Sequence, residues 1–171
     1  MPLTSQITAY DAHWPRRYAA EQARLRPIFG NALTALHHVG STAVSGLAAK
    51  PEIDILAVVR SEDQTDIWQN AVPGMGYRRG GDLSPGHQFY KRDHEGRRTH
   101  KLHVIVEGHP KVTELLVFRD LLRTDPALRR AYQALKLRLE RENTRGISEY
   151  LDGKAPFIDA ALVGVAPTAE P

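Results

Sequence analysis

Cysteine is absent from this chain of 171 residues, so no disulfide scaffold, thiolate metal site or thiol nucleophile is available to it. No apolar run approaches the roughly 20 residues that a membrane-spanning helix needs. The opening stretch, Met1 to Asp11, is polar and lacks the apolar core of a secretory signal. These absences set the expectation of a soluble, cytoplasmic protein with no membrane partner. There is no internal repeat and no low-complexity tract. Aromatic residues make up only 7%, and the formal charge is only +3, from 23 Lys and Arg against 20 Asp and Glu. That balance gives no positive support for nucleic acid as a partner.

What is present fits one domain with a real core, spanning residues 1–164, followed by a Pro- and Ala-rich tail, residues 165–171, expected to be disordered. Basic residues are unevenly placed. Tyr77 to Lys101 holds seven of them against three acids, and Arg119 to Arg145 holds eight against four. Two readings stand: solvated surface, or a basic cleft for a small anionic ligand such as a nucleotide.

The pattern predicts a helix from Pro15 to about Arg26, ended by Pro27. Leu33 to Val39 reads as a strand running into the small-residue loop Gly40 to Gly46. Glu52 to Val59 is nearly continuous in apolar residues over its second half, as a strand buried on both faces would be. Glu62 to Asn70 is predicted helical behind Ser61, and Met75 to Arg78 a short strand between the turn signals Pro73-Gly74 and Gly80-Gly81. His87 to Arg92 and Arg98 to Glu107 form a predicted hairpin around Asp93-His94-Glu95-Gly96. Helices follow: Glu114 to Arg123, then one from the cap Asp125-Pro126 to about Glu142, then Ser148 to Leu162 with interruptions at Gly153 and Pro156. The order is not the steady alternation of a doubly wound sheet. It predicts an α+β fold, with a mixed β-sheet flanked by helices and a C-terminal helical layer.

The most informative segment is HVGSTAVSGLAAKPEIDI, residues 38–55. Gly40 lets the backbone turn tightly and approach a ligand. The amides beyond it, with the hydroxyls of Ser41 and Thr42, suit phosphate oxygens. Glu52 and Asp54 stand two apart on a strand and so share a face. Carboxylates so placed can hold Mg²⁺, which takes hard oxygen ligands and accompanies triphosphates. A phosphate-gripping turn beside a paired-acid strand is the logic of metal-dependent nucleotidyl transfer. The alternative is an ordinary turn followed by an exposed strand-start charge.

This segment is very similar to the signature of the GrpB family of the nucleotidyltransferase superfamily. The resemblance extends to Tyr10-Asp11 with Trp14-Pro15, to Arg98-Thr-His-Lys-Leu-His-Val104, and to Phe118-Arg-Asp-Leu-Leu-Arg123. It continues in Tyr132 with Leu135-Lys136, and in Tyr150 with Lys154 and Phe157-Ile158. It implies a nucleotidyltransferase-type fold. Some relatives are fused to dephospho-CoA kinase, but neither that domain nor a P-loop is present here. Ser45 stands where the family usually has proline. Glu52 stands where the family often has an apolar residue, which is nearer the active superfamily pattern. The third carboxylate of active nucleotidyltransferases, on a later strand, is not evident.

His103 or Glu107 on the later strand is a candidate to complete the site, His103 as ligand or base. The other reading makes His100 and His103 half-buried structural histidines. Lys50 is a candidate to reach phosphate or to pair with Glu52, and Arg98, Lys136 and Lys154 are candidates for phosphate contacts or transition-state charge, although Lys136 also suits a boundary lysine whose stem covers apolar surface. Tyr90 and Tyr150 suit either base stacking or the core. The functional expectation is a Mg²⁺-dependent, nucleotidyltransferase-like protein. It would bind a nucleoside triphosphate through Gly40, Ser41, Thr42 and the basic residues, and hold Mg²⁺ on Glu52 and Asp54. Asp54 and His103 would serve catalysis. The alternative is a binding module for a nucleotide or other anionic metabolite on the same fold, without turnover.

Overall fold

The computed structural model describes residue 3 and residues 5–164, so the predicted tail lies outside the described residues. Five strands, β1 (Leu33–Val39), β2 (Ile53–Val59), β3 (Arg78–Ser84), β4 (His87–His94) and β5 (Arg97–Val106), form one sheet in the order β1-β2-β5-β4-β3. β2 and β5 pair in parallel and every other neighbouring pair is antiparallel, giving the mixed sheet expected. β2 sits between β1 and β5, which is why its apolar run has no polar face.

Helix α1 (Trp14–Phe29) covers one face, where Trp14, Leu25 and Phe29 pack with Ile53, Ile55, Ala57, Leu102 and Val104. On the opposite face Leu56, Val58 and Ile105 meet Val112, Leu115 and Leu116 of α3 (Pro110–Thr124). Helices α4 (Pro126–Glu142) and α5 (Ile147–Val163) complete that layer. They close over the loop after β1, whose Val44 and Leu47 are fully buried among Leu122, Tyr132, Leu128, Phe157 and Ile158. The C-terminal helices therefore roof the segment between the Gly-Ser turn and the acid strand.

Several boundaries differ from the sequence reading. α1 runs through Pro27 to Phe29, because the fully buried Phe29 holds the final turn although Pro27 offers no amide. The expected helix over residues 62–70 is a 3-10 turn, Glu62–Gln64, followed by the short α2 (Asp66–Gln69). Gly80 and Gly81 lie inside β3 rather than in a turn. A side chain at Gly80 would come within 2.6 Å of the Phe89 ring on the neighbouring strand, so glycine here makes room for an aromatic. The hairpin turn is reduced to Glu95 and Gly96, both at positive φ (50° and 75°), as two-residue hairpins require.

α5 is continuous through Gly153 and Pro156. A Cβ on Gly153 would lie 2.5 Å from Leu139 Cδ2 of α4, so the glycine marks close helix packing rather than an interruption. Gly153→Val is therefore expected to destabilise the fold by about 1–3 kcal/mol through overpacking. Adding Leu139→Ala should recover part of that loss in denaturant titrations. An unchanged midpoint for Gly153→Val would show that α5 is not held this closely.

Candidate anion-binding site at the Gly-Ser turn

Gly40 leaves β1 at φ 71°, ψ −174°, a conformation that strongly favours glycine. Its own Cβ position would lie 2.5 Å from Asp54 Oδ2, so the turn rests directly on the acid. Ser41 opens the short 3-10 turn Ser41–Ala43. Thr42 is buried and faces inward: its hydroxyl donates to the Glu52 carbonyl at 3.2 Å and lies 2.9 Å from His38 Nε2. Since the hydroxyl proton is committed to Glu52, His38 Nε2 is the donor in that pair. Burial pushes the His38 imidazole down to about 4, with Arg123 and Arg119 adding to the shift, so the ring stays neutral. Thr42 thus ties the loop to β2.

The parallel register places Lys101 of β5 directly opposite Asp54 of β2. Lys101 Nζ lies 2.6 Å from Glu52 Oε2 and 3.7 Å from Asp54 Oδ1. One ammonium group serves both acids. Burial opposes the charge on Lys101, but Asp54 and Glu52 together outweigh it and raise its pKa. Burial also raises the Asp54 pKa, against the pull of Lys101, and the neighbouring Glu52 raises it further. Glu52 Oε1 accepts from the Ser5 hydroxyl at 2.6 Å.

Three further lysines converge from the loop and the helical roof. Lys136 of α4 is 2% exposed and donates to Ser41 Oγ at 3.0 Å and to the Ala48 carbonyl. Burial brings its pKa down to about 7, with Lys154 the next contributor. Lys154 of α5 is brought down to about 8, again by burial first and then by Lys101. Lys50 is also lowered by burial, and its buried Nζ has no hydrogen-bond partner among the described residues. Lys50 and Lys154 lie 4.4 and 4.6 Å from the centroid of the same Tyr150 ring, an attractive arrangement for each cation. Four lysines thus face Glu52 and Asp54, with Glu140 as a further carboxylate acting on Lys50 and Lys136.

Of the predicted site residues, the structure brings together Gly40, Ser41, Lys50, Glu52, Asp54, Lys136 and Lys154. Arg98 is instead paired with Asp93 at the hairpin. His103 stands opposite Leu56, one step along the face from Lys101, and its Nδ1 lies 2.9 Å from His87 Nε2. Burial drives it down to about 3, with His87 adding to the shift, so it is neutral near pH 7. His100 lies on the α1 face beside Arg92, which pairs with the buried Glu21. Tyr150 lines the lysine cluster, whereas Tyr90 is buried and its hydroxyl donates to Gln88. Lys101 is a site residue that the sequence pattern alone does not reveal. Its place on a strand that also carries Arg98, His100 and His103 does not single it out, and only the register with β2 gives it meaning.

The donor set can be tested against Mg²⁺, which the fold family implies. Two carboxylates are the right chemistry. Three of their oxygens are already engaged, however, Oε1 by Ser5 and Oε2 and Oδ1 by Lys101, and the Gly40 turn crowds Oδ2. At an effective dielectric of 20, a divalent ion about 4 Å from an ammonium is repelled by about 8 kcal/mol. The residues as arranged do not fit the ion. Among the described residues, no group of three or more His, Asp or Glu side chains is placed to hold a metal.

Comparison with known proteins agrees with this architecture. The fold resembles that of nucleotidyltransferases: Cid1 poly(U) polymerase bound to MgGTP superposes with a TM-score of 0.54 over 86% of this chain and 50% of that one, at 15% identity. The chain matches the family described as GrpB protein over residues 4–163, and it belongs to that family. The conserved protein GrpB from Enterococcus faecalis has a TM-score of 0.84 at 30% identity, covering 93% of this chain and 96% of that one. UPF0157 protein YqkA of Bacillus subtilis is 33% identical over 156 residues, or 91% of this chain and 46% of YqkA. A dephospho-CoA kinase of Mycobacterium bovis matches at 28% identity, with this chain spanning 45% of its length. No helix among the described residues is long and apolar enough to cross a membrane.

Proposed function

We propose that this chain binds a nucleotide, a nucleoside triphosphate being the first candidate, with its phosphates among Ser41, Lys50, Lys136 and Lys154. The observation that carries this reading is the set of buried and half-buried lysines beside the Gly-Ser turn, one of which, Lys50, has a buried and unpartnered ammonium group. Holding an ammonium group away from water costs stability unless an anion or other partner offsets it. Lys50 Nζ has no hydrogen-bond partner among the described residues, and burial depresses Lys50, Lys136 and Lys154. A chain of phosphates satisfies several ammonium groups at once. The likeness in fold to Cid1 supports nucleotide as the class of anion.

The chemistry of this chain's own residues is binding and orientation. Lys136 holds the Ser41 hydroxyl, so a phosphate arriving at Ser41 meets a positioned hydroxyl and an ammonium together. Tyr150 offers its ring to both Lys50 and Lys154, which holds the two cations beside the turn. Transfer of a nucleotidyl group through Mg²⁺ would first require Lys101 to leave both acids. Binding without turnover is therefore the reading the geometry supports best.

Calorimetric titration of ATP, GTP, CTP and UTP tests it. Binding of at least one is expected, weakened tenfold or more by Lys50→Met, since charge-assisted contacts contribute about 1.5–3 kcal/mol. Failure of all four to bind would overturn the reading. Pyrophosphate release that depends on Asp54 would replace it with nucleotidyl transfer.

A further inference from the structure

We propose that Lys101 is the resident cation of this site, standing between Glu52 and Asp54 in place of a divalent metal ion, so that the anionic ligand is taken up in its metal-free form. This deepens the nucleotide-binding reading and rests on it for the identity of the ligand. The role of Lys101 toward the acids stands on geometry alone.

Three observations carry it. First, Lys101 extends from the position of β5 directly opposite Asp54, and its Nζ reaches both carboxylates, 2.6 Å from Glu52 and 3.7 Å from Asp54. Second, the Ser5 hydroxyl donates to Glu52 Oε1 and the Gly40 turn packs closely against Asp54 Oδ2, so Mg²⁺ would have to displace Lys101 and the Ser5 contact and fit beside a crowded turn to build its octahedral shell. Third, the groups beyond the acids are cations. Lys50 and Lys154 act electrostatically on the same cluster and leave excess positive charge for the ligand to meet. A Mg²⁺-complexed triphosphate carries two fewer negative charges than the free anion and brings a cation toward these lysines, so it should bind less well.

A tethered ammonium differs from Mg²⁺ in what it permits. It offsets part of the charge of the acids and donates hydrogen bonds, but it offers no open coordination position and does not act as a Lewis acid on a phosphoryl oxygen. The site would therefore grip phosphate through charge and hydrogen bonds. It would select ligands by the charge they expose, free nucleotide over its magnesium complex.

Two titrations test this on the full chain. Mn²⁺ alone, followed by electron paramagnetic resonance, is expected not to bind the parent at the acids but to bind Lys101→Met, in which Glu52 and Asp54 lose their counter-ion. ATP affinity measured by calorimetry is expected to be about tenfold stronger in EDTA than in excess Mg²⁺, the scale of one weakened charge contact. Mn²⁺ binding to the parent that Asp54→Asn abolishes would overturn the proposal, as would ATP affinity that increases with Mg²⁺. If Lys101→Met does not fold, Lys101→Arg keeps the charge and should exclude Mn²⁺ as the parent does. Manganese binding by folded Lys101→Arg at the acids would count against the proposal. If no nucleotide binds under either condition, the nucleotide reading fails, while the manganese titration of the parent still decides the role of Lys101.

Discussion

Gly40→Ala is expected to lower the stability of the fold by about 3 kcal/mol, from backbone strain and a clash that act together. The backbone at Gly40 lies at φ 71° and ψ −174°, a region where a side chain costs on the order of 1–3 kcal/mol. The added Cβ would also stand 2.5 Å from Asp54 Oδ2 and 3.0 Å from Asp54 Cβ, both on a central strand with little freedom to retreat. For a chain of this size the loss corresponds to a fall in Tm of about 10 °C. A double-mutant cycle separates the two causes. Asp54→Ala removes the carboxylate and should return about 1 kcal/mol of the loss, leaving the strain at positive φ. Equal Tm values for Gly40→Ala and the parent would mean that the turn does not rest on Asp54. Displacing the turn should also disturb the Lys136–Ser41 hydrogen bond, so nucleotide affinity is expected to fall with stability.

The second large effect is on pH dependence. Burial leaves Lys136 and Lys154 with pKa values of about 7 and about 8 in the ligand-free chain. A bound anion favours their charged forms and raises both values, so binding takes up protons wherever the free lysines are partly neutral. The sign follows directly. Well below pH 7 both are charged before binding and the electrostatic contribution is fully present. As pH rises through 7 and 8, more of the binding free energy goes into recharging them, and affinity declines. The groups facing these lysines are Glu52, Asp54, Glu140 and Lys101; burial raises the Asp54 pKa, and the two acids beside Lys101 raise its own, so Lys101 remains charged. ATP affinity is expected to weaken by about tenfold to a hundredfold between pH 7 and pH 9, because each recharged lysine costs up to about 1.4 kcal/mol per pH unit. Calorimetry at pH 7.5 in buffers of different ionisation enthalpy should show net proton uptake. Lys136→Met should weaken binding at pH 7 and make the remaining pH dependence shallower. A flat affinity profile with no proton uptake would mean that these lysines do not meet the ligand.

Much of the fold was legible because it rests on local rules. The strand Leu33–Val39 emerged with its predicted bounds, and the cap Asp125 holds the amides of Ala127 and Leu128 at the start of α4 as expected. Several of the departures share one origin. Gly80, Gly81, Gly153, Pro27 and Pro156 were read as punctuation, which is their local tendency. In the folded chain Gly80 admits Phe89, Gly153 admits Leu139, and buried neighbours such as Phe29 carry α1 past Pro27. Each depends on a partner distant in sequence, so local pattern does not reveal it.

The site divides along the same line. The segment from His38 to Ile55 by itself determined that a tight turn would meet an acid-bearing strand. A glycine at positive φ, a serine and two alternating carboxylates are local features, and the structure sets Gly40 against Asp54. What the acids face was decided only by tertiary structure. The parallel register of β2 with β5 brings Lys101 to Glu52 and Asp54. Closure of α4 and α5 over the loop buries Lys136, half-buries Lys154 and sets their proton affinities. Charge state follows from burial and neighbours, and both belong to the folded chain rather than to the order of its residues.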